Sequence, residues 1–368
     1  MRYIGNKTRL LPFILRTLYR LGIQPGTAHD AFAGTAAVGR ALKAAGWRVA
    51  SSDLMTYSHV LQQAYVVAQK VPSFRELAKH EPAVRRAIRE AVRDPLLSPR
   101  ANALRAVGTY LAAERPSEIG FVTRHFSPMG GRMYFTEANA VRIDAARRAL
   151  HEWRASGWID DSSYHVLLAA LIEGADRVAN TAGVYAAFIK TWQPNARRPL
   201  TIVPELPEPG ARGATAHRAD AAVLAAELGP IDLLYIDPPY NARQYAGYYH
   251  VPEVIARGWF GDDLVLRGKT GLLASDGQRS AWCSPRRVRH ALGDLLAATG
   301  ARDVLVSYNS EGLLPDAQLR ATLAEASVDG KVRRFSKGYR RYRADSESAS
   351  RRYKAAIVRE LLYHIRLR

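Results

Sequence analysis

The chain has 368 residues, 48% of them apolar, which is enough for a full core and sets disorder aside as the default reading. A formal charge of +19 points to a polyanionic partner, and nucleic acid is the first candidate. The single cysteine, Cys283, excludes an internal disulfide and any cysteine-based metal cluster. The histidines show no His-Glu-x-x-His pattern, and no apolar run reaches the ~18 residues that span a bilayer, so neither a metal nor a membrane is expected and a cytoplasmic location is.

Leu10, Leu11, Ile14, Leu18 and Leu21 recur at helical spacing and predict a helix over residues 7–20. The first 29 residues contain no acid, a trait of transit peptides. Cleavage there would remove a candidate ligand motif that begins at Arg2, so the segment is expected to stay. Residues 28–32 read as a strand and Gly34 as the turn that ends it. Residues 35–45 follow as a helix stopped by Gly46, and residues 48–52 as a second strand closed by Asp53. This is a βαβ unit in outline.

The pattern then changes. Helical stretches dominate at residues 74–92, 100–114, 137–155 and 163–182. Strands return at residues 215–219, 233–236 and 304–307, beyond a Pro-rich seam at residues 203–210. The expected organisation is a discontinuous α/β domain, residues 1–64 and 201–368, interrupted by a helical insert at 65–200. The tail carries two β-like runs around a polar loop at residues 340–352 and predicts a terminal hairpin.

The chemistry concentrates in four places. The apolar run Leu233-Leu234-Tyr235-Ile236 leads straight into Asp237-Pro238-Pro239-Tyr240. Neither proline can donate to a ladder, so the strand must end there. The stiff turn holds a carboxylate and a flat ring at the mouth of a sheet, an arrangement suited to a planar heterocycle with an exocyclic amino group. Near the start, Tyr3 and Lys7 flank a Gly-Asn turn just before a helix, where a lysine can meet a carboxylate. In Asp30-Ala31-Phe32-Ala33-Gly34 a glycine after a strand lets backbone approach a ligand closely. The pyrophosphate-gripping glycine fingerprints are absent. Asp53 stands where an acid commonly bonds a ribose hydroxyl pair. Asp220 follows another strand and reads either as a helix cap or as an acceptor for a purine amino group.

Together these residues resemble the adenine-N6 DNA methyltransferases of the Dam and FokI kind, in which the cofactor motifs precede the catalytic tetrapeptide. The resemblance spans nearly the whole chain. Tyr3–Lys7 is similar to the family's first cofactor motif, Asp30–Gly34 to its glycine turn, and Asp53 and Asp220 to its two cofactor acids. Asp237–Tyr240 is similar to the catalytic motif. Phe135-Thr136-Glu137-Ala138-Asn139 with Arg142-Ile143-Asp144, Asn241–Tyr245 and Ser307–Ser310 are also familial. Ala36 departs from the family by standing at its usual second glycine, and its small side chain preserves a close approach.

The resemblance implies S-adenosyl-L-methionine as cofactor, bound by Tyr3, Lys7, Asp30, Phe32, Gly34, Asp53, Asp220 and Asp237. It implies a doubly wound, mostly parallel α/β sheet of methyltransferase type with a mainly helical target-recognition insert and a C-terminal β-hairpin. Double-stranded DNA is the partner it implies, and a cognate restriction endonuclease is one it allows. Asp237 and the Pro238 carbonyl would accept the N–H bonds of a flipped-out adenine while Tyr240 stacks on the ring. Arg124, Arg132, Arg197, Arg198, Arg243 and Tyr245 are the candidate DNA contacts. The same acceptor geometry also serves cytosine or RNA. A non-catalytic nucleic-acid-binding subunit is the reading from another class.

Overall fold

The computed structural model describes residues 1–114, 118–261, 264–274, 278–340 and 357–367. Of the polar tail loop expected at 340–352, residues 341–352 lie outside the described residues. The chain divides into two compact units: Gly5–Gln62, Gly210–Tyr245 and Asp276–Arg368 form one, and Met1–Ile4, Gln63–Pro209 and Ala246–Ser275 the other.

The first unit is built on a seven-stranded sheet. In chain order its strands are β1 (Thr27–Asp30), β2 (Arg48–Asp53), β3 (Thr215–Arg218), β4 (Pro230–Ile236), β5 (Gly300–Asn309), β6 (Arg333–Arg340) and β7 (Ile357–Arg366), arranged β3-β2-β1-β4-β5-β7-β6. The strands β1 to β5 pair in parallel, while β7 runs antiparallel to both β5 and β6. The expected terminal hairpin is thus the β6–β7 pair, with β7 inserted beside β5. Leu233, Leu234, Tyr235 and Ile236 are all buried, as expected of a parallel strand covered on both faces. Full burial of one such aliphatic side chain contributes about 1.5–3 kcal/mol. Helices Val288–Ala298 and Asp316–Ala326 cover part of this core through Leu292, Leu295, Leu319 and Leu323.

The second unit is mainly helical. Thr136 caps the Glu137–Ala155 helix by accepting the Asn139 N–H, and Asp160 caps Asp161–Val178 by accepting the Ser163 N–H. The helix expected over 74–92 is two helices, Arg75–His80 and Pro82–Ala91, because Pro82 can open a helix but not continue one.

The division also differs from the one expected at 65–200. The helical unit extends over Gln63–Pro209 and takes in Met1–Ile4 and Ala246–Ser275. Long-range contacts decide this. The Arg2 N–H donates to Asp176 at 2.6 Å, the Ile4 N–H to the Tyr249 hydroxyl at 2.8 Å, and the Tyr185 N–H to the Tyr248 carbonyl at 2.8 Å. Buried Arg147 donates from Nε to the Ile255 carbonyl at 2.8 Å, closing the end of the His250–Arg257 helix. No helix among the described residues is long and apolar enough to cross a membrane.

Candidate active site

The order of the sheet reverses between β1 and β4, the position where open α/β sheets bind ligands beyond the carboxyl ends of their strands. Asp30 ends β1 opposite Tyr235 of β4, and the Ala31 N–H donates to the Tyr235 carbonyl at 3.1 Å. On the other side of β1, the Ala33 N–H donates to the Ser52 carbonyl at 2.9 Å and the Gly34 N–H to Asp53 Oδ2 at 3.0 Å. The glycine turn is thereby fixed between the ends of β2 and β4, next to the turn that carries Asp237. Asp53 Oδ1 accepts the Met55 N–H at 2.9 Å, so this acid shapes the turn as well as facing it.

Four side chains, those of Lys7, Asp237, Tyr240 and Glu360, meet at this turn. Lys7 Nζ lies 3.0 Å from Asp237 Oδ1 and 2.7 Å from Glu360 Oε1. It also donates to the Tyr240 hydroxyl, which in turn donates to Asp237 Oδ1. The backbone makes this possible. Gly5 has φ +81°, a conformation costly for other residues, and Asn6 Oδ1 accepts the Thr8 N–H at 2.8 Å. This turn delivers Lys7, 3% exposed, into the site. Burial disfavours the ammonium, but Asp237 and Glu360 outweigh it and hold Lys7 above the ordinary lysine value. Burial pushes Asp237 and Glu360 upward, with Lys7 opposing. One buried cation thus faces two carboxylates. Burial, and then Asp237, also raise Tyr240 well above the ordinary phenol range, which keeps its hydroxyl a donor.

The Tyr240 ring meets Tyr308 edge-on at 5.4 Å, and Phe32 meets Trp282 edge-on at 4.8 Å. Phe32 and Tyr240 pack, half-buried, on the same apolar core. Gln244 clamps the segment after the tetrapeptide by donating to the Ser280 carbonyl at 3.2 Å and accepting the Ser280 N–H at 2.9 Å.

Asp30 is fully enclosed. Its Oδ2 accepts the Gly39 N–H at 2.9 Å, whereas Oδ1 is buried without a partner. Burial and the nearby Asp237 charge lift its carboxyl to about 7. A buried carboxylate oxygen left unpaired beside a glycine turn is what a ligand bearing a cationic donor would satisfy. These residues therefore fit a cofactor with an aminocarboxyl end. Ala36, at the expected second glycine, adopts the left-handed conformation (φ 61°, ψ 16°) and is wholly buried.

The remaining sequence candidates are distributed as follows. Pro238 is buried and Pro239 half-buried. Asp220 is exposed and caps the Ala221–Glu227 helix by accepting the Ala222 N–H at 2.9 Å, the helix-cap alternative of its two readings. Tyr3 belongs to the helical unit, where its ring stacks on Tyr249 at 4.7 Å. Arg243 is exposed and Tyr245 half-buried in the sheet unit. In the helical unit Arg124, Arg197 and Arg198 are exposed. Arg132 instead directs its guanidinium to the carbonyls of His125, Gly268 and Lys269 at 2.9, 3.2 and 3.0 Å, an anchoring geometry. Glu360 was not among the sequence candidates. Its only signal is a lone acid just before the strand-like run Leu361-Leu362-Tyr363-His364-Ile365.

A family model for D12 class N6 adenine-specific DNA methyltransferases matches residues 3–264. The type II methyltransferase M.NlaIII of Neisseria lactamica is 34% identical over 99% of this chain and 98% of its own length. Modification methylase LlaI of Lactococcus lactis subsp. lactis is 32% identical over 95% of this chain, and the type II methyltransferase M.FokI of Planomicrobium okeanokoites 31% over 99%. The chain spans 52% of the length of each of these two.

Proposed function

Because this chain belongs to the D12 class N6 adenine-specific DNA methyltransferase family, we propose that Asp237 and Tyr240 present a flipped-out adenine of duplex DNA for methylation at its 6-amino group. The observation that carries this reading is the convergence of Lys7, Tyr240 and Glu360 on Asp237, at the switch point beside the Gly34 turn.

The amino nitrogen of adenine is a poor nucleophile because its lone pair is delocalised into the ring. A carboxylate accepting one N–H and a carbonyl accepting the other draw electron density back onto nitrogen. Asp237 and the Pro238 carbonyl take these roles. Lys7 and Tyr240 both meet Asp237 at Oδ1, so Oδ2 is the oxygen assigned to the base. Lys7 and Glu360 are positioning residues that fix the carboxylate through charge, while the Tyr240 ring stacks on the extruded purine.

S-adenosyl-L-methionine supplies a methyl group already activated by its sulfonium. Asp30, Phe32, Gly34 and Asp53 are the residues that would hold it. Asp30 offers the unpaired oxygen, Gly34 a backbone without a side chain, and Phe32 an apolar surface. The exposed Asp220 is a weaker candidate on its geometry, since one of its oxygens serves as a cap. Tyr3 is a proposed cofactor contact by family resemblance alone.

The helical unit is assigned to target recognition. Exposed Arg124 and Arg243 suit contacts to phosphate, with Tyr245 following in the same segment as Arg243. A cognate restriction endonuclease is the proposed partner, because similar proteins carry the names type II methyltransferase and modification methylase. The cytoplasm, where duplex and methyl donor meet, is the proposed compartment.

The test is transfer of labelled methyl to duplex DNA followed by mass analysis of the nucleosides. N6-methyldeoxyadenosine is the expected product. Label confined to cytosine or to RNA would contradict the reading.

A further inference from the structure

The run Phe135-Thr136-Glu137-Ala138-Asn139 has no part in the chemistry at Asp237, yet its last residue does something specific. Asn139 is buried, and its side-chain amide donates to the carbonyls of Ala196 and Arg198 at 3.2 and 2.9 Å. Its Oδ1 accepts the Leu200 N–H at 2.8 Å. A second buried amide repeats the device. Asn180 donates from Nδ2 to the Ile189 carbonyl at 2.8 Å, and its Oδ1 accepts the Gln193 N–H at 3.0 Å. Asn195 then ties the loop to the end of the Asp161–Val178 helix through the carbonyls of Arg177 and Ala179, at 3.1 and 3.0 Å.

The segment so held, residues 179–200, contains no helix or strand. Irregular segments this long are uncommon in compact domains unless they carry function. Burying a polar side chain to satisfy loop carbonyls stabilises one backbone path over its alternatives. What the fixed path displays is charge of one sign. Lys190, Arg197 and Arg198 are exposed, and residues 179–204 contain no Asp or Glu. Cations on a backbone path held by these bonds, with no carboxylate in the segment to compete, suit contacts to phosphates.

We propose that residues 179–200 form a preset phosphate-binding surface for duplex DNA, with Lys190, Arg197 and Arg198 as contacts and Asn139 and Asn180 as the residues that fix its shape. The assignment rests on the DNA methyltransferase reading and adds to it the location of part of the backbone grip. Phosphate contacts supply affinity and register without reading sequence, so the surface serves cognate and unrelated duplexes alike.

The test is anisotropy titration of the full chain with labelled duplexes, cognate and scrambled, across a salt series. The triple variant K190A/R197A/R198A changes exposed residues only, so folding is expected to persist. Three lost contacts should reduce the slope of log affinity against log salt by about 2.7, equally on both duplexes, with cofactor binding unchanged. Asn139→Ala removes no charge. It should keep the parental salt slope while weakening binding about 5- to 10-fold, the equivalent of one or two hydrogen bonds. A triple variant with the parental slope overturns the surface while leaving the methyltransferase reading intact, provided the parent binds and methylates duplex. A parent that does not bind duplex overturns both. A loss confined to the cognate sequence alone also contradicts the proposal, and unaltered affinity in Asn139→Ala contradicts the presetting.

Discussion

Glu360, on the last strand, accepts a hydrogen bond from Lys7, before the first helix, at 2.7 Å. The same ammonium lies 3.0 Å from Asp237, so the two carboxylates share one buried cation. Removing that cation leaves two buried acids facing each other without compensation. Lys7→Met should therefore cost about 3–5 kcal/mol of stability, the scale for breaking a buried ion pair. Urea denaturation of the two proteins checks this. A loss within about 0.5 kcal/mol would show that the cluster is well solvated.

Glu360→Gln is the milder change. It retains shape and one hydrogen bond to Lys7, and removes the charge. Turnover should fall about 10-fold with cofactor affinity nearly unchanged, because the group acts through Lys7 and not on the cofactor. The acid limb of the rate profile should also move, since Glu360 and Asp237 titrate in each other's field. A uniform fall in rate with an unmoved profile would leave Glu360 a packing residue only.

Asp30 gives a prediction in pH. Its carboxyl, near 3.8 when unperturbed, is lifted to about 7 in the fold. The folded chain thus binds this proton more tightly than the unfolded chain does. The contribution to stability is full below about pH 4 and is lost as pH rises through about 7. Asp30→Asn should lie closer to the parent at pH 5 and gain on it at pH 8, as read by denaturation at both. If the cofactor's ammonium pairs with Asp30 Oδ1, binding at pH 7 should release about half a proton. Calorimetry in buffers of different ionisation enthalpy measures this release, and Asp30→Asn should abolish it.

Ala36 is the only non-glycine residue with positive φ among the described residues. The left-handed conformation costs an L-residue about 1–2 kcal/mol, while burying the methyl returns about 0.8 kcal/mol. Ala36→Gly relieves the strain but loses the methyl and loosens the unfolded chain. Its stability should stay within about 0.5 kcal/mol of the parent, whereas Ala36→Val, β-branched at the same φ, should lose about 2 kcal/mol or more. Thermal unfolding separates the two.

Much of the sheet and of the turn that carries Asp237 was legible because short-range signals dominate there. An unbroken apolar run stopped by two prolines can end in only a few ways, and β4 with Asp237–Tyr240 is the result. The glycine turn and the acid after β2 were equally local. What escaped depends on distance along the chain. Glu360 matters only because β7 inserts beside β5 and brings it to Lys7, 353 residues away. Residues 246–275 join the helical unit through Arg147 and Tyr185, contacts without sequence periodicity. Asp220 shows the reverse limit, since a cap and a ligand acid look alike in sequence, and the Ala222 N–H on one of its oxygens is a contact that sequence does not reveal. The helix at Asp316–Ala326 was missed because its charged and apolar residues alternate too loosely to fix a face.

The central claim is that Asp237 draws the adenine amino group toward the methyl donor, and single-turnover methyl transfer to duplex DNA by Asp237→Ala tests it most directly. The account predicts a rate about 10²–10³ below the parent, with folding intact and N6-methyldeoxyadenosine as the residual product. A variant that transfers methyl at close to the parental rate would contradict it.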